Sequence, residues 1–149
     1  MLKKKIGLIV DILMYALLLI QMLYVFVGNN VHEILGIAFF VCLIIHVVLR
    51  GRWFKSLFKK KPVFYHFFDV ITILLLLLSI VLMVTGMGVS RLLFPTFSFL
   101  GEPALHRYLA TAVLTLAVLH GGMQGIRRAK KKRAAYIWVS LACIAALSI

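Results

Sequence analysis

Five long apolar runs decide what this chain can fold into: Ile6 to Val27, Val31 to Leu49, Val70 to Val89, Ala104 to Met123 and Ala134 to Ile149. A helix needs about 20 apolar residues to cross a hydrocarbon core of roughly 30 Å, so each run reads as a transmembrane helix, the last one short. Together they take up 97 of the 149 residues. With 64% hydrophobic and only 14% charged residues, the chain reads as an all-α integral membrane protein, a single membrane domain over residues 1–149. What remains between the runs is too short and too basic for a Rossmann unit, a P-loop or a flavin fold. Any chemistry has to take place between the helices. Lys3, Lys4 and Lys5 ahead of a Leu-rich run look like the start of a signal peptide. The run is too long for that role and lacks a small-x-small cleavage site after Phe26, so it reads as a membrane span. Cys42 and Cys143 both lie within apolar runs and indicate neither a disulfide framework nor a cysteine metal site.

The formal net charge of +13 raises the question of nucleic acid, but the positions of the charges argue against such a partner. Fifteen of the 17 basic residues fall in three blocks, Lys3 to Lys5, Arg50 to Lys61 and Arg127 to Arg133. With five helices these blocks share one side of the membrane, and the positive-inside rule makes that side cytoplasmic. The expected location is the cell membrane, multi-pass, with the N-terminus cytoplasmic and the C-terminus outside. The basic blocks then serve as topology signals that also meet anionic lipid headgroups. The opposite side carries the turn Gly28-Asn29-Asn30 and the loop Ser90 to Pro103, whose only charges are Arg91 and Glu102.

An imidazole inside a membrane costs free energy, and four of the five histidines form a pattern. His32 and His46 lie fourteen apart on the second run, and His106 and His120 lie fourteen apart on the fourth. Fourteen residues at about 100° each bring both members of a pair to one helix face, about 21 Å apart along the axis. The second and fourth helices run in the same direction in the five-helix topology. That pairs His32 with His106 at the outer level and His46 with His120 at the inner level. Two opposed imidazoles at each of two depths meet the axial-ligand requirement of low-spin haem iron, and a four-helix bundle supplies such ligands from facing helices. The expected cofactors are two haem b, with the four histidines as iron ligands. Gly36 and Ala110, each four residues past an outer histidine, keep the helix surface low where a porphyrin passes. Phe39 and Leu43 continue the face of the second helix, and Val113 and Ala117 that of the fourth. Zinc fits less well, because tetrahedral ligands converge on one point.

The same comparison exposes a repeat, 6–49 and 67–123, with 134–149 as an extra C-terminal helix. Each half has an edge aspartate (Asp11, Asp69), a Leu-rich helix, an outer turn, a histidine followed by a charged residue (His32-Glu33, His106-Arg107) and a second histidine fourteen later. The first four helices thus read as a duplicated hairpin. At H-E-I-L-G (His32 to Gly36) with His46, and at L-H-R-Y with His120, the chain resembles the flavinylation-associated cytochromes. These are small di-haem membrane cytochromes b related in helix-pair logic to ferric-reductase-like transmembrane proteins, and the resemblance covers residues 8 to 125. It implies electron transfer across the membrane to an extracytoplasmic flavoprotein, from quinol or a cytoplasmic donor. The chain then acts as an electron-transfer subunit of an oxidoreductase system. The sequence itself shows no flavin or nicotinamide site.

Haem propionates are anionic, which makes Arg50 at the inner level, and Arg107 and Arg91 at the outer, candidates to neutralise them. Glu33 points about 100° away from its neighbour His32 and reads as a solvated interfacial carboxylate. Asp11 and Asp69 read as first-turn charges that complement helix dipoles. His66, beside an aromatic belt, reads as interfacial. Gly86-Met87-Gly88 and Phe94 to Phe99 are expected to shape the outer loop over the outer haem. Two rival functions stand beside this one: a quinone-reactive cytochrome b that anchors a dehydrogenase, and a haem-free transporter or assembly factor.

Overall fold

The computed structural model describes residues 2–60 and 62–128 and is helical almost throughout. Helix α1 runs over Leu2–Met22, α2 over Tyr24–Val27, α3 over Asn29–Leu49, α4 over Arg52–Leu57, α5 over Val63–Val89 and α6 over Pro103–Arg128, with a 3-10 turn at Pro95–Leu100. No strand occurs among the described residues. Three helices are long and apolar enough to cross a membrane, over Lys5–Met22, Asn29–Leu49 and Tyr65–Val89. Helix α6 has 26 residues, about 39 Å at 1.5 Å each, which is long enough, but it is more polar than these three. The expected fifth helix, 134–149, and the placement of the C-terminus lie outside the described residues.

The helix limits depart from the apolar runs for local reasons. The first run does not continue as one helix to Val27, because α1 stops at Met22 and a separate single turn follows. Gly28 then takes φ +76°, a left-handed conformation open to glycine, and the chain reverses into α3. Helix α5 begins seven residues before Val70, directly after Pro62, a residue whose fixed φ suits a helix start. His66 therefore lies on α5, exposed as its interfacial reading requires. A second short helix, α4, falls inside the basic segment that the sequence reading treats as a loop.

The described chain divides into two compact units, one of residues 2–60 and 83–106, the other of 62–82 and 107–128. In the first unit α1 packs antiparallel against α3, with Val10, Leu17 and Leu18 buried against a face that holds Phe39 and Leu43. Those two are the buried residues of α3, so its histidine face is the inward face. In the second unit Phe68, Ile71, Leu82, Val113 and Leu114 are buried. Large apolar residues on the other faces stay open, among them Ile9 (63%), Ile12 (61%), Val48 (72%) and Val84 (62%). A water-soluble surface does not tolerate so many, whereas lipid is as apolar as they are.

Candidate functional site

His46 sits in the last turn of α3, half-buried, and its Nδ1 lies 2.8 Å from Asp11 Oδ1 on α1. Asp11 Oδ2 accepts a 2.6 Å bond from Arg50 just past the end of α3, which closes an ion pair across the helix hairpin. Gly7, one turn before Asp11, lies beside this arrangement, and a Cβ there would stand 3.5 Å from the Arg50 guanidinium, an ordinary contact. Asp11 is thus more than a dipole charge. It orients His46 and takes up Arg50, which the sequence reading offers only as a propionate partner.

A carboxylate only accepts, so the Asp11 bond places the His46 proton on Nδ1 and leaves the lone pair on Nε2. His120 on α6 shows the same tautomer by a different route. Thr72 Oγ1 donates its single hydrogen to the Phe68 carbonyl at 2.8 Å, and its oxygen lies 3.1 Å from His120 Nδ1. With the hydroxyl hydrogen so placed the oxygen is left to accept, and the His120 tautomer that matches it has its proton on Nδ1. A metal-ligating histidine characteristically donates its second ring nitrogen to a fixed acceptor, which sets the ring and raises its basicity. His106 has an equivalent neighbour, with Thr85 Oγ1 at 3.1 Å from its Nδ1.

His32 and His106 come together in the first unit, their ring centres 6.3 Å apart and their planes at 85°. An imidazole nitrogen stands roughly 2.0–2.1 Å from a bound metal, with the ring centre about 1.1 Å behind it, so two rings on opposite sides of one ion have centres about 6.2–6.4 Å apart. The observed separation falls in that range, and equally in the range of an edge-to-face ring pair such as Tyr24 makes with His32 at 6.1 Å and 70°. Rotation about the ligand axis leaves each bond intact, and crossed planes are compatible with it. The backbone of α5 makes room for His106: a Cβ on Gly86 would stand 3.2 Å from His106 Cε1. Gly86 therefore seats the His106 ring directly and belongs to the last turns of α5, not to the loop.

His32 differs from the other three. Its Nδ1 is buried and makes no well-formed hydrogen bond among the described residues; the Gln21 backbone offers the ring a weak one, and the Glu33 carboxylate adds its charge. The Gln21 side chain is in the same position, with Nε2 buried and unpartnered. Gly36 faces it, and a Cβ at Gly36 would meet Gln21 Oε1 at 3.8 Å, an ordinary contact. Ala110 is half-buried and Arg107 exposed on α6.

Glu33 is partly exposed, as a solvated carboxylate would be, but it is also engaged by the loop. Its carboxylate accepts from Ser90 Oγ (2.6 Å) and from the amides of Arg91 (2.9 Å), Leu92 (3.1 Å) and Leu93 (3.1 Å). Buried Ser90 in turn accepts from the Phe94 amide at 3.0 Å. Successive amides turned toward one carboxylate form an anion nest, and here it fixes the loop after α5 onto the first turn of α3. Below it, Ile34, Ile37, Leu93 and Phe94 line an open apolar cleft of about 370 Å³.

Among the described residues no three His, Cys, Asp or Glu side chains converge on a metal position. Tetrahedral zinc needs such a set, whereas haem brings four equatorial nitrogens and asks the protein for two axial ones. The donor set fits haem. Missing from the sequence reading were Asp11 as a histidine partner, Thr72, Thr85 and Gln21. The threonines carried a usable signal, standing thirteen apart on the helix before two histidines fourteen apart. Comparison of the chain with protein-family models, curated proteins and solved structures finds no match.

Proposed function

We propose that the chain is a di-haem b-type membrane cytochrome, a four-helix bundle with a fifth C-terminal span, that carries electrons between the two membrane faces. His32 and His106 hold one haem, and by sequence register His46 and His120 hold the other. The observation that carries this reading is the set of Nδ1 anchors: His46 on Asp11, His120 on Thr72 and His106 on Thr85. Haem supplies one-electron chemistry when bound. The protein's part is to present Nε2 donors, exclude water with apolar helix faces and place the two ligand levels about 21 Å apart. The resemblance to flavinylation-associated cytochromes gives the direction, from quinol or a cytoplasmic donor to an extracytoplasmic flavoprotein. The three basic blocks place the N-terminus in the cytoplasm.

Vesicles reconstituted with the chain test this directly. With a membrane-impermeant reductant inside and ferricyanide outside, the wild type should reduce the ferricyanide, and His46→Ala and His120→Ala should abolish that flux. Equal flux from wild type and variants contradicts the reading. A quinone-reactive anchor subunit is the second reading, favoured by the apolar cleft beside Glu33. That cleft is lined by four apolar side chains, with Glu33 already committed to the loop amides, so a quinone carbonyl gains no partner from them.

A further inference from the structure

The two histidines of α3 occupy the same helix face yet receive opposite treatment on their Nδ1 atoms. His46 gives its Nδ1 proton to a carboxylate at 2.8 Å, and His32 has a buried Nδ1 that makes no well-formed hydrogen bond among the described residues. We propose that Asp11 is a positioning residue that sets the potential of the haem held by His46 below that of the haem held by His32, so that electrons settle on the His32 side. The inference rests on the haem reading above and adds to it a built-in direction.

The argument is electrostatic. A carboxylate that accepts the Nδ1 proton draws it away from the ring and makes Nε2 a stronger donor. A stronger axial donor stabilises the more positive state of the iron and lowers the reduction potential, one of the levers a protein has over haem. Asp11 also carries charge of its own close to that iron, and a negative charge acts in the same sense. At His32 the hydrogen bond is missing: Glu33 acts on the ring through its charge, but its carboxylate is engaged by Ser90 and the loop amides and does not accept from Nδ1.

Arg50 tempers the arrangement. Its guanidinium takes Asp11 Oδ2 at 2.6 Å and fixes the carboxylate so that Oδ1 faces His46. The Asp11 side chain is one-fifth exposed, so water screens the carboxylate only in part. The construction is specific to one end of α3, and the edge aspartate is the residue that supplies it.

The test is a redox titration of the detergent-purified full chain, resolved into two haem components, with His32→Ala used to identify the component that belongs to His46. In the parent the His46 component should have the lower midpoint. Asp11→Asn should raise it and shift its low-spin resonance, leave the other component in place, and Asp11→Glu should restore most of the original midpoint. Haem retained with an unchanged or lower His46 midpoint in Asp11→Asn overturns the inference. Should that variant lose the haem, Arg50→Lys decides: it keeps the positive charge but gives up the guanidinium geometry that holds Oδ1 toward His46, so the His46 midpoint should rise, and an unchanged or lower one overturns the inference. A parent chain that takes up no haem fails at the earlier step and overturns the haem reading itself.

Discussion

The two ends of α3 carry the same residue at the same angular position and handle it in contrasting ways. At the His46 end, an aspartate and an arginine build an ionic seat. At the His32 end the ring meets a second imidazole, a buried glutamine without a partner and, one residue along, a glutamate spent on holding a loop. Ligand spacing repeats along this chain, but the surroundings of the ligands do not. Equal spacing therefore fixes which helix face the histidines share and leaves their hydrogen bonding to residues that follow no repeat.

Removing the ligands breaks the comparison most severely. His32→Ala and His46→Ala should each remove one of two haems, read as half the haem absorbance per protein. Next comes Gly86→Val. Its branched side chain would enter space 3.2 Å from His106, so the ring must move, at a cost of about 1–3 kcal/mol from overpacking. Selective loss of the His32 component, with the His46 component retained, is the expected spectrum. A smaller effect follows from Thr72→Val and Thr85→Val, which remove Nδ1 acceptors while conserving volume. Loss of such a partner typically weakens metal binding about 10–100-fold. Haem titration into the apo variants should show this on one component each. The mildest change is Glu33→Gln, which weakens the charged bonds to the Ser90–Leu93 amides and should cost about 1–2 kcal/mol. Protease cleavage confined to the loop after Ser90, with both haems retained, checks it.

Much of this was legible from the sequence. Of the five apolar runs, three correspond to helices long and apolar enough to span a membrane, and Phe39, Leu43 and Val113 on the faces marked by the fourteen-residue intervals are buried. What escaped was set by tertiary contact. Asp11 precedes His46 by 35 residues, and Glu33 precedes the amides it binds by 58 to 60, so neither partnership has a local signature. The break at Leu23 escaped for another reason: Ile6 to Val27 is apolar throughout, and hydropathy carries no record of where the hydrogen-bond ladder stops.

The most direct measurement is the dithionite-reduced minus oxidised spectrum of the purified chain, with haem quantified against protein. Two b-type haems per chain is the predicted result. A folded, helical preparation that takes up no haem when haem is supplied during expression contradicts the account, and the haem-free transporter then becomes the leading explanation for four histidines in a membrane.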